Sequence, residues 1–204
     1  MADIITVYVQ HLMKVQSEMR EEPTELEVAS PTESFPSFKI FSGDFVPNIS
    51  LEKYTHRLVT YIQCSPEAYI FALAYIRRLF FRRFPLHSGN IHRVLLTAVV
   101  IAAKTRDDLY FSMSYYAHAG GVSNRYLNMM ELRFLADLID FRAEVSPTEY
   151  RLVCNSIITA KSFQRVSSNM SDLCDVTASN TPSELEDTPL AGKPQWITEC
   201  QLHW

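Results

Sequence analysis

Two side chains of opposite charge, Lys104 and Glu131, stand out because their neighbours along the chain are apolar. Glu131 lies one helical turn from Leu127 on one side and from Leu135 on the other. An acid in such a stripe is costly to bury unless it is paired, and Lys104, directly after a long apolar run, is the nearest candidate cation. The pattern leaves two interpretations open: an internal salt bridge, or a pair of charged contacts offered to a binding partner.

The remaining titratable residues form no recognisable catalytic or metal-binding pattern. His87 and His92 are five residues apart and His118 is distant, so the spacing of a helical zinc pair is missing. The sequence also lacks a Gly-x-Ser-x-Gly nucleophile motif and a glycine-rich phosphate loop. Asp107 and Asp108 are adjacent, and adjacent side chains on an extended segment point apart. We therefore expect no catalysis, no metal and no cofactor.

A basic cluster surrounds two phenylalanines in the middle of the chain. Its arginines recur at four- and five-residue spacing and would form one broad edge of a helix. The favoured interpretation is a solvated face whose arginine stems cover aromatic rings. The less favoured one is a site for an anion or a partner. The residues are Arg77, Arg78, Arg82 and Arg83, around Phe80 and Phe81.

Composition favours an all-α protein of the cell interior. Hydrophobic residues make up 47% of the 204 residues, with only 5 glycines and no regular apolar–polar alternation of the kind that strands show. The formal net charge of -4 disfavours a nucleic-acid binder. No leader peptide or membrane span is recognisable, so we expect a soluble protein of the nucleus, the cytoplasm or both. The cysteines are expected to be free thiols of a reducing compartment: Cys64, Cys154, Cys174 and Cys200.

Residues 94–103 form an almost wholly apolar run, broken only by Thr97, and predict a helix buried on all sides. Such a helix belongs at the centre of a compact all-α domain, and Lys104 would emerge at the rim of its core. Serine caps and proline signals predict further helices around it. The predicted spans are 50–64, a helix starting at 65, about 90–106, 112–119, 123–140 and 146–163.

The pattern divides the chain into three parts. Residues 1–49 combine a weakly amphipathic helix, whose docking partner the sequence does not reveal, with an arm rich in proline and phenylalanine. Residues 50–163 form the helical core, and residues 164–204 form a polar tail that we expect to be flexible. Because aromatic side chains are costly to leave in water, we expect the arm to lie against the domain through Phe35, Phe38, Phe41 and Phe45.

Three segments resemble a cyclin box. Residues 92–108, with the sequence HRVLLTAVVIAAKTRDD, are similar to its third helix, and residues 115–123 and 127–135 to its fourth and fifth helices. The Tyr-Tyr-Ala-x-x-Gly-Gly and Leu-Asn-x-x-Glu patterns within them are most similar to the P-type cyclins. These are the phosphate-regulatory cyclins of yeast and their plant and protist relatives. The resemblance covers about residues 50–160 and neither arm.

This resemblance implies a fold and a function. The fold is a single five-helix box around the third helix, here with flanking helices and arms. The function is that of a non-catalytic regulatory subunit that binds and activates a cyclin-dependent protein kinase, in cell-cycle or nutrient control. Substrates or inhibitors of the kinase would be further partners. The alternative is a helical adaptor that binds protein or nucleic acid without activating a kinase.

The resemblance also implies a kinase-binding set on two helices. Lys104 and Glu131 match a lysine and a glutamate that in the family bind kinase backbone, which favours the partner interpretation of the pair. Leu127, Leu135 and Thr105 complete the set, although Thr105 stands where the family usually has a large apolar residue.

The chain departs from the family pattern elsewhere too. Between Glu131 and Phe141 it is one residue longer than usual, so the family's apolar contacts after Leu135 do not transfer. The first helix of the box lacks the substrate-docking motif of cell-cycle cyclins, and no second box is recognisable.

Overall fold

The structure is a computed structural model. It describes residues 1–21, 35, 38–42 and 47–174. Over these ranges the chain forms eight α-helices and no strand, which confirms the predicted all-α class. In chain order the helices are α1 (Ala2–Glu21), α2 (Phe38–Phe41), α3 (Leu51–Ile62), α4 (Pro66–Phe81), α5 (Ile91–Arg106), α6 (Met113–Gly120), α7 (Asn124–Arg133) and α8 (Pro147–Cys174).

Serine side chains begin most of the helices of the core. The hydroxyl oxygens of Ser50, Ser65, Ser112 and Ser123 each accept a hydrogen bond from the backbone N–H three residues later, over 3.2–3.3 Å. These bonds satisfy amide groups that have no partner within the helix. At the other end of α6, Gly121 takes a left-handed φ of 72°, which glycine reaches without strain. The predicted starts of α3, α4 and α7 are confirmed.

The central helix is α5, as the apolar run predicted. Every residue from Val94 to Ala103 is buried, and the hydroxyl of Thr97 donates to the carbonyl of Arg93 at 2.8 Å. The polar side chain therefore needs no partner outside its own helix. Helices α2, α3, α4, α6 and α7 pack around α5, and its carboxyl end, with Lys104, reaches the surface at one edge of the core.

The docking site of helix α1 is one that the sequence did not reveal. It packs on α3, α4 and α8. Gln16 fixes its far end, because the side-chain amide donates to the carbonyl of Phe84 and its oxygen accepts from the amide of Leu86, both at 2.8 Å. The first helix is therefore a structural part of the core, to which it contributes Ile4, Ile5, Tyr8, Val9 and Leu12.

The aromatic arm lies against the core, as predicted, where the structure describes it. The rings of Phe35, Phe38 and Phe41 surround Phe84 at centroid distances of 5.1, 5.7 and 6.4 Å. Edge-to-face and tilted arrangements of this kind are favourable for aromatic pairs. Phe45, the fourth phenylalanine of the prediction, lies outside the described residues.

The basic cluster is not one solvated face, so that interpretation was wrong for half of it. Arg77 fits the prediction, with its guanidinium carbon 4.6 Å from the centre of the Phe81 ring. Arg78 and Arg82 instead turn towards the segment between α7 and α8, where Arg82 donates to the carbonyl of Leu138 at 2.5 Å. Open backbone carbonyls in a loop need donors, and the arginines supply them.

Several predicted boundaries need correction. Helix α3 ends at Ile62, two residues before the predicted end at 64, and its buried stripe follows Tyr54, Leu58 and Ile62. The helix from 123 was expected to reach 140, but α7 ends at Arg133 and passes into a turn of π-helix, Phe134–Leu138. Helix α8 continues to Cys174, beyond the predicted end at 163.

At the start of α8, the Ser146–Glu149 capping box, in which each side chain would bond the other's amide, is only half formed. The Ser146 hydroxyl accepts from the amide of Glu149 at 3.2 Å, but the carboxylate of Glu149 turns to Arg78. The division into parts at residues 49 and 163 stays a prediction. No helix in the described part of the chain is long and apolar enough to cross a membrane.

Candidate functional site

Lys104 and Glu131 meet in the folded chain. The Lys104 ammonium lies 2.5 Å from a carboxylate oxygen of Glu131 and 3.9 Å from the sulfur of Met113. The two side chains are 32% and 16% exposed. The pair is thus neither a fully buried ion pair nor a solvated one; it lies at the rim of the core, where a partner can approach it.

The packing of α5 and α7 explains this position. Helix α5 is buried from Val94 to Ala103, so Lys104 is the first long side chain after this stretch that is able to leave the core. A lysine in the last turn also interacts favourably with the partial negative charge of the helix end. Leu127 on α7 is completely buried, and Leu135 in the π-helical turn is partly buried, so Glu131 lies between them at the boundary of core and solvent.

Not all of the predicted set is on the surface. Thr105 is exposed, with its hydroxyl donating to the carbonyl of Ile101 at 2.7 Å. Thr105 also lies beside the hydroxyl of Tyr75, and burial raises the pKa of that tyrosine to about 12. The structure therefore brings Lys104, Thr105 and Glu131 together at one edge. Leu127 is completely buried and offers no side-chain surface to a partner. The kinase contacts of all five residues stay predictions.

Apolar side chains extend the surface beside the pair. The segment that joins α5 to α6 leaves Leu109, Tyr110 and Phe111 exposed, and it leads directly into Met113. On α7, Leu132 is exposed next to Glu131. Exposed apolar side chains in segments that adjoin a charged pair are typical of a protein-binding site. Sequence analysis did not single out these residues. The available signal for Leu109, Tyr110 and Phe111 was a run of apolar residues soon after the end of the central helix.

The π-helical turn coincides with the predicted extra residue between Glu131 and Phe141. The amide of Ile139 bonds to the carbonyl of Phe134, five residues back, at 3.1 Å. One residue added to a helix is commonly accommodated in this way, and such turns are frequent at functional sites. Phe134 and Leu138 are completely buried, so the π-helical turn keeps both side chains in the core.

The other residues that could carry chemistry have structural roles. Asp107 accepts hydrogen bonds from the amide and the hydroxyl of Ser65, at 3.0 and 2.5 Å, and so fixes the start of α4 to the end of α5. His92 lies 3.0 Å from the carbonyl of Ile49, and burial lowers its pKa. Among the described residues, no cluster of histidine, cysteine and acidic side chains is suited to a metal ion.

A central apolar helix with five helices around it, and a Lys–Glu pair where its end meets α7, define a cyclin-box protein. The protein-family model described as Cyclin matches residues 2–143, from the start of α1 to the segment before α8. The chain belongs to the cyclin family. Cyclins are in general regulatory, non-catalytic partners of cyclin-dependent kinases.

Its relatives include P-type and U-type plant cyclins. Cyclin-U1-1 of Arabidopsis thaliana is 36% identical over 163 residues, which is 76% of this chain and 75% of that protein. Cyclin-U4-1 of the same species is 39% identical over 113 residues, 54% of this chain and 55% of that protein. Cyclin-P3-1 of Oryza sativa subsp. japonica is 37% identical over 119 residues, 58% and 50% of the two chains. The resemblance to P-type cyclins is confirmed.

Proposed function

We propose that this chain binds a cyclin-dependent kinase and activates it, with Lys104 and Glu131 at the centre of the contact. The observation that carries the proposal is their shared position at the rim of the core, beside exposed apolar side chains. The family supports a kinase as the partner in general.

The internal salt bridge and the partner contact are successive states of the same pair in this proposal. In the free chain each charge satisfies the other. On binding, both turn to backbone groups of the kinase, the lysine donating and the glutamate accepting. Because the pair is part-exposed, this exchange does not require a helix to unfold. Neither charge is left without a partner in either state, which avoids the cost of an unpaired buried charge.

The test removes both charges and keeps the shapes. A double variant, Lys104→Met with Glu131→Gln, leaves no unpaired charge behind, so the helical circular dichroism and the thermal midpoint should stay close to those of the original chain. Truncating one buried charged contact costs about 2–5 kcal/mol, or roughly 30- to 3,000-fold in affinity. We expect a loss in this range in a binding titration against purified cyclin-dependent kinases.

The matched control is a second Lys–Glu pair on the surface. Lys14 and Glu18 are 3.9 Å apart on α1 and largely exposed, so Lys14→Met with Glu18→Gln should leave kinase affinity unchanged. Undiminished binding by the Lys104 and Glu131 variant would contradict the proposed contact. Binding of the original chain without a rise in kinase activity towards a Ser-Pro peptide would favour the adaptor instead.

A further inference from the structure

The exposed end of α4 carries an arginine in a backbone conformation that favours glycine. Arg83 has a φ of 59°. Its amide bonds to the carbonyl of Phe80 at 3.0 Å, and the amide of Phe84 bonds to the carbonyl of Leu79 at 2.9 Å. Glycine is usual at this position of such a helix end, because left-handed backbone is strained for other residues. The turn therefore does not require the arginine side chain.

Two nearby side chains form a small surface with Arg83. We call Arg77, Phe81 and Arg83 the α4-end patch. Phe81 is 63% exposed, and the guanidinium carbon of Arg77 lies 4.6 Å from the centre of its ring. Phe80 packs on the same ring edge to face, with the centroids 5.3 Å apart. These contacts fix the ring in place, so the patch offers an ordered aromatic surface together with two cations.

The fold does not neutralise the two cations of the patch. The other arginines of the basic cluster are paired: Arg78 with Glu149 and Arg82 with Asp140. Within the part of the chain that the structure describes, no carboxylate forms a salt bridge with either arginine of the patch. Their charge is therefore available to a ligand.

The patch lies at the opposite end of α4 from the proposed kinase contact. Asp107, three residues after Lys104, bonds to Ser65 at the start of α4. Helix α4 has 16 residues, so at 1.5 Å per residue it is about 24 Å long. A second protein segment can therefore occupy the patch while a kinase contacts Lys104 and Glu131.

The size and the surroundings of the patch distinguish between classes of anionic partner. The net charge of -4 opposes attraction to an anionic membrane or a nucleic acid. One exposed ring is also not the broad apolar face with which helices bind membrane surfaces. A short protein segment contacts the patch alone. Arg77 and Arg83 are six residues apart, about 9 Å along a helix axis, and an extended segment covers that distance in about three residues.

We propose that the α4-end patch binds an extended acidic segment of a partner protein. Two carboxylates of this segment pair with Arg77 and Arg83, and an apolar side chain between them packs on Phe81. Guanidinium groups are suited to forked bonds with carboxylates. The inference goes beyond the proposed function, because it gives the chain a second binding surface that does not depend on a kinase.

A fluorescent peptide with two glutamates on either side of one leucine tests this with the full chain and no kinase. Its anisotropy should show saturable binding that weakens as salt is raised, because exposed charges are screened. Arg83→Gly should lower the affinity by about tenfold or more. Its thermal midpoint should stay close to the original, since glycine adopts this φ without strain. Phe81→Ala should weaken binding by a similar factor.

Two controls separate the patch from general charge attraction. Arg125→Gln changes an exposed arginine in the first turn of α7 and should leave peptide binding unchanged. The peptide with glutamine in place of every glutamate should not bind. An equal loss for Arg125→Gln and Arg83→Gly would overturn the proposal, and so would undiminished binding by both Arg83→Gly and Phe81→Ala.

The chain's own acidic residues provide a further test of the occupant. Residues 22–34, outside the described ranges, contain four glutamates: Glu22, Glu25, Glu27 and Glu33. Peptide binding that appears only after these four are replaced by glutamine would overturn the assignment to a separate partner. No binding by either chain would overturn the site itself. The proposed function is tested separately, because Arg83→Gly should keep the kinase affinity of the original chain.

Discussion

Lys104 and Glu131 form an ion pair in the free chain, and this limits the free energy of binding that a partner gains when it contacts them instead. The kinase must provide hydrogen bonds good enough to replace an ion contact of 2.5 Å. The net gain is then smaller than the strength of the new contacts. The exchange of partners instead provides selectivity. A protein that lacks hydrogen-bonding groups opposite Lys104 and Glu131 leaves a charge unpaired and is disfavoured.

His92 shows the opposite case, a titratable side chain that the fold keeps neutral. It is buried, lies against the Tyr54 ring at a centroid distance of 4.9 Å, and has its pKa lowered by burial from the usual 6.5. The unfolded chain takes up the proton at a higher pH than the folded chain does. The stability due to neutral His92 is therefore complete above about pH 6.5 and is lost as the pH falls below it.

We expect the thermal midpoint to fall on acidification from pH 7.5 to 5.5, and to fall less in His92→Gln. The glutamine keeps a donor for the carbonyl of Ile49 but does not titrate, so one source of proton uptake on unfolding is removed. The measurement is thermal unfolding across this range. His118→Gln, at an exposed position, is the control and should keep the full pH dependence. Identical slopes for His92→Gln and the original chain would contradict this account.

At the scale of elements, Arg78 joins three parts of the chain. Its guanidinium donates to both carboxylate oxygens of Glu149, each at 2.7 Å, and so connects α4 to the first turn of α8. The remaining donors go to the carbonyls of Arg142 and Glu144. A planar guanidinium is suited to such forked contacts, and an ammonium is not. Arg78 thus fixes the end of this segment to both α4 and α8.

Replacing Arg78 should destabilise the protein even when the charge is kept. Arg78 and Glu149 are only 22% and 20% exposed, and breaking such a pair leaves Glu149 and two carbonyls with fewer partners. For Arg78→Lys we expect a loss of about 3 kcal/mol in the free energy of unfolding, measured by urea denaturation. The exposed pair provides the comparison: Lys14→Ala should cost about 0.5 kcal/mol or less. A cost for Arg78→Lys as small as that of Lys14→Ala would show that the contacts at Glu149 add little.

At the scale of the whole molecule, the described fold is larger than the box that the sequence indicated. Helices α1 and α8 pack on each other and on α4, and the match to the family also begins at residue 2. The five buried apolar residues of α1 contribute roughly 1.5–3 kcal/mol each. Together they are comparable to the whole stability of a typical domain, about 5–15 kcal/mol.

A chain that starts at Ile49 should therefore fail to fold cooperatively, because it lacks α1 and the phenylalanines of the arm. A chain that ends at Cys174 retains every described helix and should keep its thermal midpoint and its kinase affinity. Thermal melts and binding titrations on both truncated chains test this. A front truncation that melts and binds like the full chain would show that α1 and the arm are dispensable.

The sequence by itself determined the helix starts and the central helix, because both depend on local interactions. A serine cap bonds an amide three residues away, as at Ser50 and Ser123, and a helix apolar on every side must be buried. The sequence also identified Lys104 and Glu131 as members of one site. The residue pattern did not decide whether the pair is a partner contact or an internal salt bridge, because either arrangement satisfies the two charges.

Only the tertiary structure decided how distant parts meet. The docking of α1 and the Arg78–Glu149 pair depend on packing between residues far apart in the chain. Glu149 illustrates the reason: a glutamate three residues after a serine cap typically bonds back to the cap amide, yet the carboxylate of Glu149 pairs with Arg78, 71 residues away. A charge-assisted forked bond in a half-buried place is stronger than a single bond to a cap amide. Which of the two partners Glu149 binds depends on the position of Arg78 in the folded chain, and the local sequence around Glu149 does not determine that position.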